Sequence, residues 1–101
     1  MTADVVPLTL TPNAALRMIR EIAADTANIV VIDHAKKQCK RRKISRRQIE
    51  MCVQKGTIQE GPFLNSHGHW QVTLFRHAAG DELCCPVAID WPNKVIVITA
   101  F

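Results

Sequence analysis

The chain changes its apolar period at Gly56. Before this glycine, two segments repeat their apolar residues every three or four positions, and after it the repeat is every second position. The first period buries one face of a helix and the second buries one face of a strand, so a helical half precedes a sheet half. In a chain of 101 residues that order predicts one domain, 1–101, with a modest core and an α+β class. The expected layout is an N-terminal helix and two short basic helices packed on one face of an antiparallel sheet of about four strands.

Residues 1–10 start irregularly. Thr11-Pro12 then supplies a cap and a proline at the first helical position, predicting a helix over 12–25 with Ala15, Met18, Ile19, Ile22 and Ala23 turned inward. Residues 25–28 turn the chain. Ile29 to Ile32 is a short apolar run that leads into Asp33 as a strand, although four residues leave a helical extension open. Asp33 is a good N-cap for the next helix. A basic two-helix segment fills 33–55, and its second helix has an unusually complete start. Ser45 and Gln48 have capping-box spacing, with Ile44 and Ile49 in the staple positions around it. Ile49, Cys52 and Val53 face inward, and Gly56 is the stop.

The sheet, 57–101, begins with a short strand from Thr57 to Glu60, followed by Gly61-Pro62 and a polar loop through Gly68. A second strand is predicted over His69 to Arg76 and a third over Glu82 to Asp90, where Pro86 marks an edge or a bulge. Lys94 to Phe101 is apolar at nearly every position, so the last strand is expected to be central and covered on both faces.

Charge is concentrated in one place. Lys36 to Arg47, twelve residues without an acid, hold eight of the thirteen Lys and Arg, and without those eight the formal net charge of +4 becomes −4. On a helical wheel Ala35 and Cys39 form a short apolar strip. His34, Gln38 and Arg42, spaced i, i+4, i+8, line one edge of it, and Lys36, Lys40 and Lys43 lie on the opposite flank in water. Arg46 and Arg47 occupy the first turn of the second helix, where cations oppose the helix dipole. The plain alternative is a solvated basic helix whose His34 caps or packs.

No apolar run is long enough to span a membrane, and the N-terminus, with Asp4 and no basic stretch, does not read as a signal peptide. A cytoplasmic location is expected. Cys39, Cys52, Cys84 and Cys85 form no C-x-x-C pair and are expected as reduced thiols, with the side chains of Cys84 and Cys85 on opposite faces of one strand. His67-x-His69 can bind a metal only if Cys84 or Cys85 comes near. No metal and no cofactor are expected.

These residues carry a resemblance. The chain resembles a group of small bacterial proteins catalogued as a domain of unknown function, whose mark is a helix beginning His-Ala-x-x-Arg-Met-x-x-Arg-Gly-Ile, then a capped helix, a Gly-bounded turn and a closing strand near Ile-Thr-x-Tyr. Here the stretch is His34-Ala35-Lys36-Lys37-Gln38-Cys39-Lys40-Arg41-Arg42-Lys43-Ile44, followed by Ser45, Gly56 and Ile98-Thr99-Ala100-Phe101. His34 and Arg42 match the motif. Its first Arg is Gln38 here, its Met is Cys39, its Gly is Lys43, and its terminal tyrosine is Phe101. Such domains look similar to RelE and barnase-like ribonuclease folds, some of them toxin modules.

The resemblance implies an RNA-directed protein. Metal-free RNA cleavage needs a base, an acid and cations for the developing phosphorane charge. His34 is the candidate acid or base, and Arg42 the candidate phosphate clamp. Lys37, Gln38, Lys40, Arg41 and Arg46 are candidate binding residues. A second acid–base group is not evident, and His67, His69 and His77 qualify only if the fold brings one of them close. Two alternatives remain open: a non-catalytic module that binds nucleic acid electrostatically, and docking of an acidic, antitoxin-like protein.

Overall fold

The structure, a computed structural model, describes residues 10–78 and 80–101. The irregular start expected for residues 1–10 lies almost wholly outside them. Three helices, α1 (Pro12–Ala23), α2 (Asp33–Arg42) and α3 (Arg46–Lys55), combine with five strands, β1 (Ile29–Val31), β2 (Thr57–Leu64), β3 (Trp70–Ala78), β4 (Asp81–Asp90) and β5 (Lys94–Val97). The strands form one sheet in the order β1-β5-β4-β3-β2. No described helix is long and apolar enough to cross a membrane.

Helix starts follow local chemistry. The Thr11 hydroxyl accepts from the Ala14 amide, and Pro12 occupies the first turn of α1. Both bonds of the Ser45–Gln48 capping box are made at α3. The start of α2 differs from expectation: Ile32 is the N-cap, makes no side-chain cap bond, and Asp33 falls one place inside the helix. The Ile32 amide donates to Val97 O at 3.4 Å, which keeps residue 32 beside the sheet and moves the helix start past it. Asp33 still sits in the first turn, where a carboxylate favours the helix dipole.

Buried residues of α1 and α3 (Ile19, Ile22, Ile49, Cys52, Val53) share a core with Val72, Leu74, Cys85, Val87, Val95 and Val97 of the sheet. Burying each such aliphatic side chain contributes about 1.5–3 kcal/mol. α2 adds only Ala35 and Cys39 to this core, so its other side chains are left to solvent or to clefts. It ends at Lys43, whose φ of 60° and ψ of 40° are left-handed, a conformation that costs an L side chain roughly 1 kcal/mol relative to glycine. Lys43→Gly is therefore expected to raise stability by about 1 kcal/mol, read as a higher urea midpoint at unchanged m-value.

The sheet corrects the expected layout in four respects. It has five strands and is mixed, because β1 pairs with β5 in parallel, Ile29 opposite Val95 and Val31 opposite Val97. β2 runs on through Gly61 and Pro62 to Leu64, with register shifts on either side of Glu60. These irregularities in an edge strand accommodate a proline that cannot donate. Gly61, at φ +94°, also leaves no room for a Cβ, which would lie 2.7 Å from Gln71 O.

β5 is interior but covered on one face only. Val95 and Val97 are buried against the helices, while Ile96 is half-buried on the open face. After Val97 the chain leaves the ladder and rejoins β4, the Phe101 amide donating to Cys84 O at 2.9 Å and the Cys84 amide to Phe101 O at 2.7 Å. Pro86 belongs to the interior strand β4. Its missing amide hydrogen falls at this irregularity, where Pro86 O accepts from the Ile98 amide at 2.9 Å.

Candidate functional site

The small buried strip of α2 decides where its charges go. With Ala35 and Cys39 against the core, Lys36 and Lys40 turn toward α3. There, with Arg46, they rim a cleft of about 300 Å³ whose floor is Val31, Cys39, Ile44 and Ile49. The expectation that Lys36 and Lys40 lie in water holds in part: they are exposed, but they face this cleft.

Arg46 is held from three sides. Its Nε donates to Glu50 Oε2 at 3.0 Å, and its Nη2 donates to Thr26 O at 3.1 Å and Ile29 O at 2.7 Å. Nη1 has no hydrogen-bond partner among the described residues. A guanidinium fixed in this way presents its remaining donors without losing further side-chain entropy. Arg47 approaches Glu50 at 3.9 Å. Among the described residues, the other six cations of the 36–47 run have no acid within ion-pair distance, so most of the local positive charge is uncompensated.

The remaining candidates are spread along α2. His34 is exposed in the first turn and has no hydrogen-bond partner among the described residues, Gln38 is half-buried, and Arg42 is exposed in the last turn. They share one flank, yet His34 and Arg42 are eight residues apart, a rise of roughly 12 Å along the helix. Arg42 and Lys43 line a separate cleft with Asp81, Glu82, Leu83 and Phe101, where the two acids offset the two cations. Lys37 and Arg41 are exposed. The structure thus brings Lys40 and Arg46 together with Lys36, and it does not bring His34 and Arg42 into one site.

The other histidines lie elsewhere. His77 is opposite Glu82 near the β3–β4 turn. His67 and His69 line a cleft on the open face of the sheet, with His69 Nε2 4.0 Å from Asp90 Oδ1. β4 register pairs Cys84 with Phe75, Cys85 with Leu74 and Ile89 with Trp70, so Cys84 and Cys85 are about five and four strand residues, roughly 17 and 13 Å, from that loop. The condition for joint metal binding is therefore not met, and no cluster of three metal-ligating side chains occurs among the described residues.

All four cysteines are free. Burial raises the Cys39 and Cys84 thiols, and a hydrogen bond with Cys52, then burial, raises that of Cys85. Those three sulfurs stay protonated near neutral pH, which suits packing rather than nucleophilic chemistry, while the same hydrogen bond with Cys85 lowers the buried Cys52 thiol.

Two features escaped the sequence. The anchoring of Arg46 depends on carbonyls before and within β1, although its pairing with Glu50 follows visible i, i+4 spacing. The open-face cleft depends on strand order, which no local pattern reports.

No curated protein and no solved structure gives a significant match. The family model for the domain of unknown function DUF4258 matches residues 31–101, a stretch that takes in both basic helices and β2 to β5. The chain belongs to the DUF4258 family.

Proposed function

We propose that this protein is RNA-directed and that its α2–α3 hairpin holds the phosphodiester backbone. One observation carries this: the cleft where Lys36 and Lys40 face an Arg46 guanidinium already fixed by three acceptors. Oriented cations with little ordering left to lose suit a polyanion, and the six unpaired charges of the run extend the surface along a strand. Helices packed on one side of a mostly antiparallel sheet support the likeness to RelE and barnase-like ribonucleases, whose toxins act on RNA. Fold alone does not fix activity.

Within this reading, binding is better supported than cleavage. His34 is a sound acid or base by residue type, but Arg42 lies at the other end of α2, and among the described residues His34 makes no hydrogen bond to a second acid–base group. The test is to incubate wild-type and His34→Ala proteins with labelled single-stranded RNA in EDTA, scoring retention and cleavage together. Both proteins are expected to retain intact RNA. Cleavage that disappears in His34→Ala would establish the ribonuclease-toxin form of the proposal, with His34 in the mechanism. RNA that is neither retained nor cut would sink the proposal and turn the search to an acidic protein partner.

A further inference from the structure

The open face of the sheet carries a second cleft, of about 500 Å³, between the β2–β3 loop and the end of β5. That volume falls within the range of small-molecule sites, about 300–1,000 Å³. It exists because the central strand β4 places an alanine, Ala88, between Ile96 on β5 and Gln71 on β3. Ala88 is on the uncovered face yet only 3 % exposed, so it forms the bottom of a depression rather than part of a flat surface. Ile32 and Ile98 continue the apolar floor away from the loop.

The wall at the loop end is polar and internally fixed. Asn65 Oδ1 accepts from the His67 and His69 amides at 2.9 and 3.0 Å, so its Nδ2 must be the donor that meets Gln71 Oε1 at 3.2 Å. Gln71 Nε2 is left with no hydrogen-bond partner among the described residues, as a half-buried donor on the wall. Beside it lie the Ser66 hydroxyl and the His67 ring, which can also donate. Asp90 is turned to His69. Among the described residues no Lys or Arg lines the cleft, so none of them would neutralise a dianionic phosphate. An apolar floor with donors at one end and no fixed cation matches a small ligand with an acceptor head of low charge.

We infer that this cleft binds a small carboxylic acid with an apolar body, the carboxylate at Gln71 Nε2 and the body over Ala88, Ile96 and Ile98. The site is independent of the RNA-binding surface proposed above.

The test is an amide NMR titration of the full chain with sodium octanoate, sodium phenylacetate and uridine 5′-monophosphate in parallel. At least one carboxylate is expected to give saturable millimolar shifts confined to residues 65–71 and the Ala88, Ile96 and Ile98 positions. Gln71→Glu keeps an acceptor for Asn65 but replaces the free donor with a negative charge, and should weaken binding at least tenfold. Ala88→Leu fills the floor and should do the same, with spectral dispersion showing that each variant folds. Non-saturating shifts, shifts centred on α2 and α3, or wild-type affinity in both variants would overturn the assignment. So would tighter binding of the nucleotide than of either carboxylate, because the head group would then be wrong.

Discussion

Gly56→Ala is expected to lower stability by about 3 kcal/mol, at the upper end for overpacking a site that cannot yield, and to lower the melting temperature by roughly 12–24 °C. Gly56 ends α3 and opens β2, its amide donating to Cys52 O at 2.8 Å. An added Cβ would lie 2.4 Å from Cys52 O and 2.9 Å from Phe75 O. Both atoms are backbone. Cys52 has a fully buried side chain in α3, and Phe75 is paired on both sides, to Thr57 and to Cys84, so neither has an easy direction of retreat. The backbone of Gly56 is ordinary, with φ −70°, and the cost is purely one of space. Gly68→Ala separates the two effects: Gly68 has φ +82° and nothing within 4 Å of where an alanine methyl would sit, so its cost should be about 1 kcal/mol. Equal losses in the two variants, measured by urea denaturation, would show that the helix–strand junction relaxes and that close approach does not explain the glycine.

Gly56 was legible as a stop because the period changes there, but its crowding was not, since Phe75 O comes from a strand across the sheet. The same division holds elsewhere. Thr11-Pro12 and the Ser45–Gln48 box gave α1 and α3 correctly because each signal and its partner lie within one helical turn. The parallel pairing of Ile29–Val31 with β5 was invisible, because the partners lie far apart along the chain and a three-residue run carries no period of its own. Gly61-Pro62 read as the end of a strand because both residues are usual strand breakers, yet at an edge their missing donor and side chain are accommodated by irregular pairing. For the candidate site, the wheel found the strip of α2 and so the correct flanks. It could not place α3 beside Lys36 and Lys40, and it could not show that Arg46 spends three of its donors on the protein.

That use of Arg46 determines which substitutions test RNA binding. Replacing Arg46 would strip acceptors in the Thr26–Ile29 segment of their donor and leave Glu50 with a more distant partner, so lost binding could reflect a damaged fold. Lys36 and Lys40 are exposed and have no acid partner among the described residues, and Lys36→Glu with Lys40→Glu should leave the circular dichroism spectrum unchanged. Reversing a charge near a phosphate in water costs about 1–2 kcal/mol at each site, so the pair should weaken single-stranded RNA binding about hundredfold. For wild-type protein, contacts to about five phosphates predict a further hundredfold loss between 50 and 200 mM salt, and the double variant should show a slope shallower by about 1.4. Lys55→Glu with Lys94→Glu is the matched control, because both pairs take the formal net charge from +4 to zero while only the first touches the cleft. If the control pair loses as much affinity as Lys36 and Lys40, binding follows net charge alone and the cleft between α2 and α3 is not the RNA site. If only the cleft pair loses affinity and salt slope, the eight clustered cations act as a located surface, with its centre at the fixed guanidinium of Arg46.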